Sequence, residues 1–595
     1  MAQATKSTGA ENVRWNLSDL FASPDDPEIE ASLAHDLESA RSFEERYRGK
    51  VATLEPDEFA VMMRELAEQE ESAAKPEVYA YMLHSQDTQD HAAGRLLARV
   101  REASADRSSH MVFFTLELAL ITDEQANRLY ADPEAAKYRH FVQEARKYRP
   151  HQLSEPEERV LTDYSPVGNG AWVRLFDELC ARIRVTIEGE EVSLEQALTL
   201  LREPERDVRR QANAAVTEAL RSDIRTRGYV FNVMLQEKSI DDRLRHFPTW
   251  ISARNLANET SDAAVQALVD AVTSRYDISV RYYRVKRKLL NVGDLHEWDR
   301  YAPIAGASPD LTWDDAKELV LGSYMRFSRR AGELVEQFFE SGWIDAPVAP
   351  GKAGNAYCMP VTPHHHPYVL MNFTGKLRDA LTLAHELGHG LHDRLASRQH
   401  VFDYHPPLTL AETASVFGEA LTFDRIMAEE KDPQIRLAML CSQCEDAFST
   451  VFRQVAFNRY EDALHTARRT EGELSLEQMG DLFQEKLQAM FGDALILTDE
   501  HRVWWSYVTH FMHAPGYVYA YAFGNLLALS VYHRYREGKL SADDYLEFLA
   551  AGGSTRPDEL VKRIGMDITD PGFWDAGLKI LDGMVTEVER LADAR

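Results

Sequence analysis

Along most of the chain, apolar residues recur at intervals of three and four, in segments rich in Ala, Leu, Glu and Arg with few β-branched runs. That spacing puts the apolar side chains on one face of a helix, and it predicts helices up to about residue 150, through to about 345, and again to the end. Helix starts are marked by a hydroxyl residue three positions before an acid or amide: Ser154 with Glu157, Ser193 with Gln196, Thr312 with Asp315, and Ser475 with Gln478. Two stretches depart from the pattern. Arg184 to Val192 alternates around Gly189 and predicts a small hairpin; Tyr368-Val-Leu-Met-Asn-Phe373 is short, apolar and β-prone, and predicts a strand that turns at Thr374-Gly375 into the next helix. The edge of that strand could accept an extended peptide by main-chain hydrogen bonds. The fold class is mostly α with a small β element.

A chain of 595 residues is too long for one compact core. We expect two closely packed lobes with a soft division near residue 200, an amino-terminal helical lobe over 1–200 and a second over 201–595, because no flexible linker interrupts the helices there. A net charge of −29 argues against a phosphate backbone as partner, since nucleic-acid binding rests on Lys and Arg. The four cysteines, Cys180, Cys358, Cys441 and Cys444, are too few for a disulfide framework, and the first ten residues lack the apolar core of a secretory signal, so the expected location is the cytoplasm. Val503 to His533 carries no Asp, Glu, Lys or Arg. Its histidines, Asn525 and the Pro515-Gly516 break nevertheless point to buried helices rather than to a membrane span.

Candidate chemistry centres on His385-Glu-Leu-Gly-His389. Residues four apart lie one above the other on a helix, so His385 and His389 can offer their imidazoles to one zinc ion while Glu386, beside them, takes a proton from water. Roughly one chain of this size and composition in fifteen would carry H-E-x-x-H by chance, so the context has to decide. Apolar residues at 380, 383, 384, 387 and 391 form one stripe, which makes the segment a helix with its ligand face turned inward. Gly388 and Gly390 weaken that helix by about 1 kcal/mol each relative to Ala, which suggests that something approaches it closely.

A catalytic zinc needs a third protein ligand and an open position. Glu412, 23 residues beyond His389 in a helical segment after Pro406-Pro407, is far enough along for the chain to turn and return. Glu419, seven further on the same face, could accept a ring N–H from a ligand histidine. His392 shares the ligand face and is read as a packed neighbour. His364-His365-His366 is read as a loop, and Cys441-Ser-Gln-Cys444 as buried structural thiols rather than a redox pair.

The segment from His366-Pro-Tyr-Val-Leu-Met-Asn-Phe-Thr-Gly375 into the His385 motif, Ala411-Glu-Thr-Ala-Ser415 and the late run His510-Phe-Met-His-Ala-Pro-Gly-Tyr-Val-Tyr-Ala-Tyr-Ala-Phe-Gly524 resemble the oligoendopeptidase F branch of the thimet oligopeptidase family. Trp15-Asn-Leu-Ser-Asp-Leu-Phe21 and Leu153-Ser-Glu-Pro-Glu-Glu158 resemble its amino-terminal lobe, so the similarity covers nearly the whole chain. The resemblance implies two helical lobes around a deep channel, an amino-terminal lobe acting as a lid, and hydrolysis of short peptides rather than folded proteins. It implies one Zn²⁺ on His385, His389 and Glu412, with Glu386 as general base. It further implies oxyanion donors in the late segment: His510 and Tyr517 first, with His513, Tyr519 and Tyr521 in reserve for substrate. The family's two functional tyrosines stand seven apart, whereas Gly524 lies seven beyond Tyr517 here; Tyr521 shares the helical face of Tyr517 and could substitute. Two other readings remain open, a peptide-binding protein that kept the fold without catalysis and a zinc amidohydrolase acting on small amides.

Overall fold

The computed structural model describes residues 7–304 and 310–594. The polar start, 1–6, lies outside the described residues. The chain divides into two compact units, each assembled from three separate segments.

The first unit comprises Met1–Gln152, Pro309–Glu429 and Arg534–Gly565. Its opening helices, Pro27–Tyr47, Pro56–Gln86 and His91–Leu120, start where sequence chemistry places them: Asp26 and Asp90 cap the first and third through their side chains, and proline occupies the first turn of the first two. Trp15, Leu17, Leu20 and Phe21 anchor the amino-terminal segment in a core shared with Tyr79, Val100, Tyr368 and Leu370. That core carries a small sheet. Its strands, β3 (Ile344–Asp345), β4 (Tyr357–Met359) and β5 (Tyr368–Leu370), follow the earlier hairpin strands β1 (Arg184–Ile187) and β2 (Glu190–Ser193).

The order is β3-β5-β4, with Val369 opposite Ile344 on one side and Cys358 on the other. The strand foreseen at 368–373 therefore exists, shortened to three residues, but it is the middle strand. Its edges are already hydrogen-bonded, so the peptide-accepting edge expected on it cannot be there; β4 is an outer strand. Buried Asp345 fixes the sheet by accepting from Lys352 (2.6 Å), Gln86 (2.9 Å) and Arg14 (3.3 Å).

The second unit comprises Leu153–Ser308, Glu430–His533 and Met566–Arg595. The β1–β2 hairpin turns at Glu188 and Gly189, both with positive φ, and Ser193 with Gln196 forms the capping box that opens the next helix. Residue 200 lies inside this unit, because the helix after it, Arg206–Arg221, packs back against the hairpin and against Leu194–Thr199. Pairings distant in sequence close the unit: Arg281 binds Glu589, and Arg275 binds Asp575 and Asp582. Cys441 and Cys444 are buried free thiols on the helix Pro433–Ala447, and burial pushes Cys441 up to about 12. Among the described residues no helix is long and apolar enough to cross a membrane. The uncharged stretch 503–533 breaks into Asp499–Tyr507, His510–His513 and Tyr519–Arg536.

Candidate metal centre

The motif lies on the helix Leu377–Ala396, which runs against the helix Leu408–Glu429. Gly388 explains how close the two come, since a Cβ there would overlap the backbone of Ala414 and Ser415. At Gly390 a Cβ would strike the Phe338 ring. Two buried hydroxyls tie down the carbonyls beside the site. Tyr324 donates to Ala384 O (2.8 Å) and Tyr545 to Thr413 O (3.0 Å).

The close crossing brings His385, His389 and Glu412 together, with one donor atom from each within 4.8 Å of the others. His385 Nε2 lies 3.4 Å and His389 Nε2 3.6 Å from Glu412 Oε2. Two donors each about 2.1 Å from a tetrahedral ion stand roughly 3.4 Å apart, so both histidine–carboxylate separations are of the size a shared metal ion would set. Ser415 donates to Glu412 Oε2 at 2.7 Å and orients the carboxylate. Glu419 Oε2 lies 3.5 Å from His385 Nδ1, on the far side of the ring from the donor nitrogen.

The electrostatics follow from this crowding. Burial works against a charged His385, but Glu419, Glu412 and Glu386 outweigh it and raise the ring to about 9. His389 is lowered by burial and by its neighbour His385; Glu412 is lowered because the two imidazoles outweigh its own burial. Glu386, only 6% exposed, is raised by burial to about 7, with the backbone N–H of Cys358 on β4 pulling the other way. A carboxyl held near neutrality suits a group that must both take and return a proton.

His385, Glu386, His389 and Glu412 line one cavity of about 390 Å³, together with Cys358, His392, Asp393 and His405. His392 is buried and held neutral by burial and by the neighbouring His389. Sequence reasoning missed Ser415, β4 and Asp393. Ser415 was within reach, three residues after Glu412; β4 is too short to give a periodic signal.

The late segment belongs to the second unit. There His510 Nε2 lies 3.0 Å from the Tyr521 hydroxyl, and the Tyr517 and Tyr521 rings meet edge-on at 5.2 Å. His510, Tyr517 and Tyr521 thus form one cluster. Tyr519 is separate: it is fully buried and its hydroxyl accepts from Asn258 (2.9 Å), which makes it a core aromatic. His513 turns to Asp177, 2.7 Å away. The turn before Tyr517 is held by Gly516 (φ +74°), whose N–H donates to buried Glu461 at 2.9 Å.

Residues 199–580 match the model of peptidase family M3. The chain belongs to that family. Residues 117–184 match a second model, Oligopeptidase F. Oligopeptidase PepF of Bacillus subtilis is 26% identical over 97% of this chain and 87% of its own length. Among solved structures, a chain from Chlamydophila abortus superimposes with a TM-score of 0.86 at 22% identity, covering 97% of this chain and 98% of that one. Oligoendopeptidase-F from Enterococcus faecium gives 0.72 at 23% identity, covering 96% and 99%. The M3 chain described here is a metalloendopeptidase with a helical fold.

Proposed function

We propose that the chain is a zinc-dependent endopeptidase that hydrolyses short oligopeptides and excludes folded proteins. The observation that carries this reading is the convergence of His385, His389 and Glu412 at ion-binding spacing beside a buried Glu386 raised to about 7. Relatives named as oligopeptidases, such as PepF of Bacillus subtilis, support the substrate class.

His385, His389 and Glu412 would hold the ion and Glu419 would orient the His385 ring. Zinc, when bound, supplies a Lewis acid that polarises a carbonyl and acidifies water. Glu386 takes a proton from the attacking water as its oxygen bonds to the scissile carbonyl carbon, then delivers that proton to the leaving amine nitrogen as the C–N bond breaks. The outer strand β4 contributes Cys358, which faces the same cavity, and a substrate in extended form would pair along it. His510 and Tyr517 are proposed as oxyanion donors, a role supported by family resemblance, with Tyr521 joined to them through its contact with His510.

Metal analysis combined with cleavage of peptides of graded length tests the reading. One zinc per chain and a sharp upper limit on length are expected; equal attack on folded proteins would refute it. Replacing Tyr517 by Phe should lower kcat by about 100-fold, the usual effect of losing one oxyanion donor, with metal content unchanged. An undiminished kcat would remove Tyr517 from the mechanism.

A further inference from the structure

The cavity around the three ligands contains a group that the hydrolytic step does not use. Asp393 stands one helical turn beyond His389, on the same face of the motif helix, and lines that cavity although it is only 7% exposed. The Cys358 thiol of β4 approaches its Oδ2 at 3.9 Å. A buried carboxyl is normally matched by a cation or by several strong donors, and the side chains around this one supply neither.

Its neighbours on each packed element can be named. On the motif helix, Glu386 is acidic, and burial keeps His392 neutral with a pKa near 3. Arg394 is occupied elsewhere, bonded to Gln337 at 3.2 Å and lying over the Trp343 ring at 5.6 Å. From the helix Leu408–Glu429 comes Glu412, another acid that faces the same cavity. The short helix Val401–Tyr404 brings Asp403, which pairs with His400 at 3.2 Å, and Tyr404, whose buried hydroxyl has no hydrogen-bond partner among the described residues and is kept protonated by burial and by the nearby Asp393 carboxyl. His405, beside it, is lowered by burial. On the helix Ala542–Leu549, the acid Glu547 is half exposed, outside the cavity lining, and engaged by Arg398 at 2.7 Å. The groups facing Asp393 are therefore acidic, neutral or already engaged. Burial consequently pushes Asp393 up to about 8.

We propose that Asp393, with the Cys358 thiol beside it, is a specificity determinant that receives a cationic side chain, lysine or arginine, from a peptide residue flanking the scissile bond. This rests on the peptidase reading above and adds to it the class of peptide preferred. An ammonium or guanidinium entering the cavity would supply the missing counter-charge, and Asp393 would release its proton as the cation binds. The preference should therefore strengthen as pH rises toward the value at which the carboxyl ionises unaided.

The test compares kcat/KM for pairs of peptides that differ only by Lys against Met beside the scissile bond, on each side in turn. The ratio within a pair cancels changes in Glu386 or in metal loading. In the wild-type chain the Lys peptide should be favoured by about tenfold or more on one side, and Asp393→Asn should collapse that ratio toward one. A ratio equal in both proteins, or a wild-type enzyme indifferent to Lys, would overturn the proposal. If Asp393→Asn does not fold, the wild-type ratio measured from pH 6 to 9 decides: a rise supports Asp393, and a flat profile rejects it. Cleavage with an unchanged ratio removes only the pocket, whereas cleavage of no peptide at all removes the peptidase reading and the pocket with it.

Discussion

Glu419 Oε2 lies 3.5 Å from Nδ1 of His385, while the opposite ring nitrogen, Nε2, points to Glu412 at 3.4 Å. The ring is thereby held between two carboxylates, Glu412 facing Nε2 and Glu419 facing Nδ1. A carboxylate behind a ligand imidazole fixes its tautomer and raises its basicity. Glu419→Ala should therefore weaken zinc affinity by about 10- to 100-fold without abolishing it. Glu412→Ala should lose the metal outright. Titration with a zinc chelator separates the two, and equal affinity in Glu419→Ala and wild type would reject the orienting role.

Glu386 contributes no atom to the convergent donor set but is buried beside it. Glu386→Gln keeps the side-chain volume and removes the proton acceptor. Zinc content should stay at the wild-type level while turnover falls by at least about 100-fold, the lower end of what a general base contributes. Substantial residual hydrolysis would assign the proton transfer to another group.

The close approach of the helices that carry His385, His389 and Glu412 makes Gly388 a test of packing. Helix propensity alone would make Gly388→Ala favourable by about 1 kcal/mol. The atoms a Cβ would meet, however, are backbone of Ala414 and Ser415, with Ser415 Cα only 2.6 Å away, so neither side can move aside cheaply. Overpacking of this kind typically costs about 1–3 kcal/mol, and it would also spread the ligands. The expected outcome is a lower thermal midpoint together with weaker zinc binding. A variant as stable as wild type would mean that the helices can separate without loss.

The pattern of legibility follows the range of the interactions. Capping boxes at Ser154, Ser193, Thr312 and Ser475 depend on residues three apart and appear where the sequence places them. The helix carrying His385 and His389 is equally local, and Gly388 already signalled a close neighbour. The order of the sheet was not legible, because strands of two and three residues carry no period and the pairing of Val369 with both Ile344 and Cys358 is settled by distant parts of the chain. Nor could the sequence show that each compact unit is built from three separated segments. The late aromatic segment was only half readable: Tyr517, Tyr519 and Tyr521 look alike in sequence, and the amide of Asn258, more than 250 residues away, is what marks Tyr519 as core. Asp393 reads as an ordinary helix-surface acid until burial is known.

Glu461 gives a pH prediction independent of the metal. It is 1% exposed; one oxygen accepts from Gly516 N–H, and Oε2 has no hydrogen-bond partner among the described residues. Burial raises its pKa from the usual 4.5 to about 8, against the smaller opposing effects of the Gly516 N–H and Arg254. Below about 4.5 both folded and unfolded chains hold the proton. Between 4.5 and 8 only the folded chain does, so stability contributed by the neutral carboxyl is progressively lost as pH rises, at up to about 1.4 kcal/mol per pH unit. Glu461→Gln keeps an oxygen to accept from Gly516 and has nothing to ionise. Its stability relative to wild type should therefore improve steadily from pH 5 to pH 8 and level off above, as read from unfolding midpoints of the two proteins in parallel. A difference that does not change with pH would show that Glu461 titrates alike in the folded and unfolded chain and is not neutral beneath the Tyr517 turn.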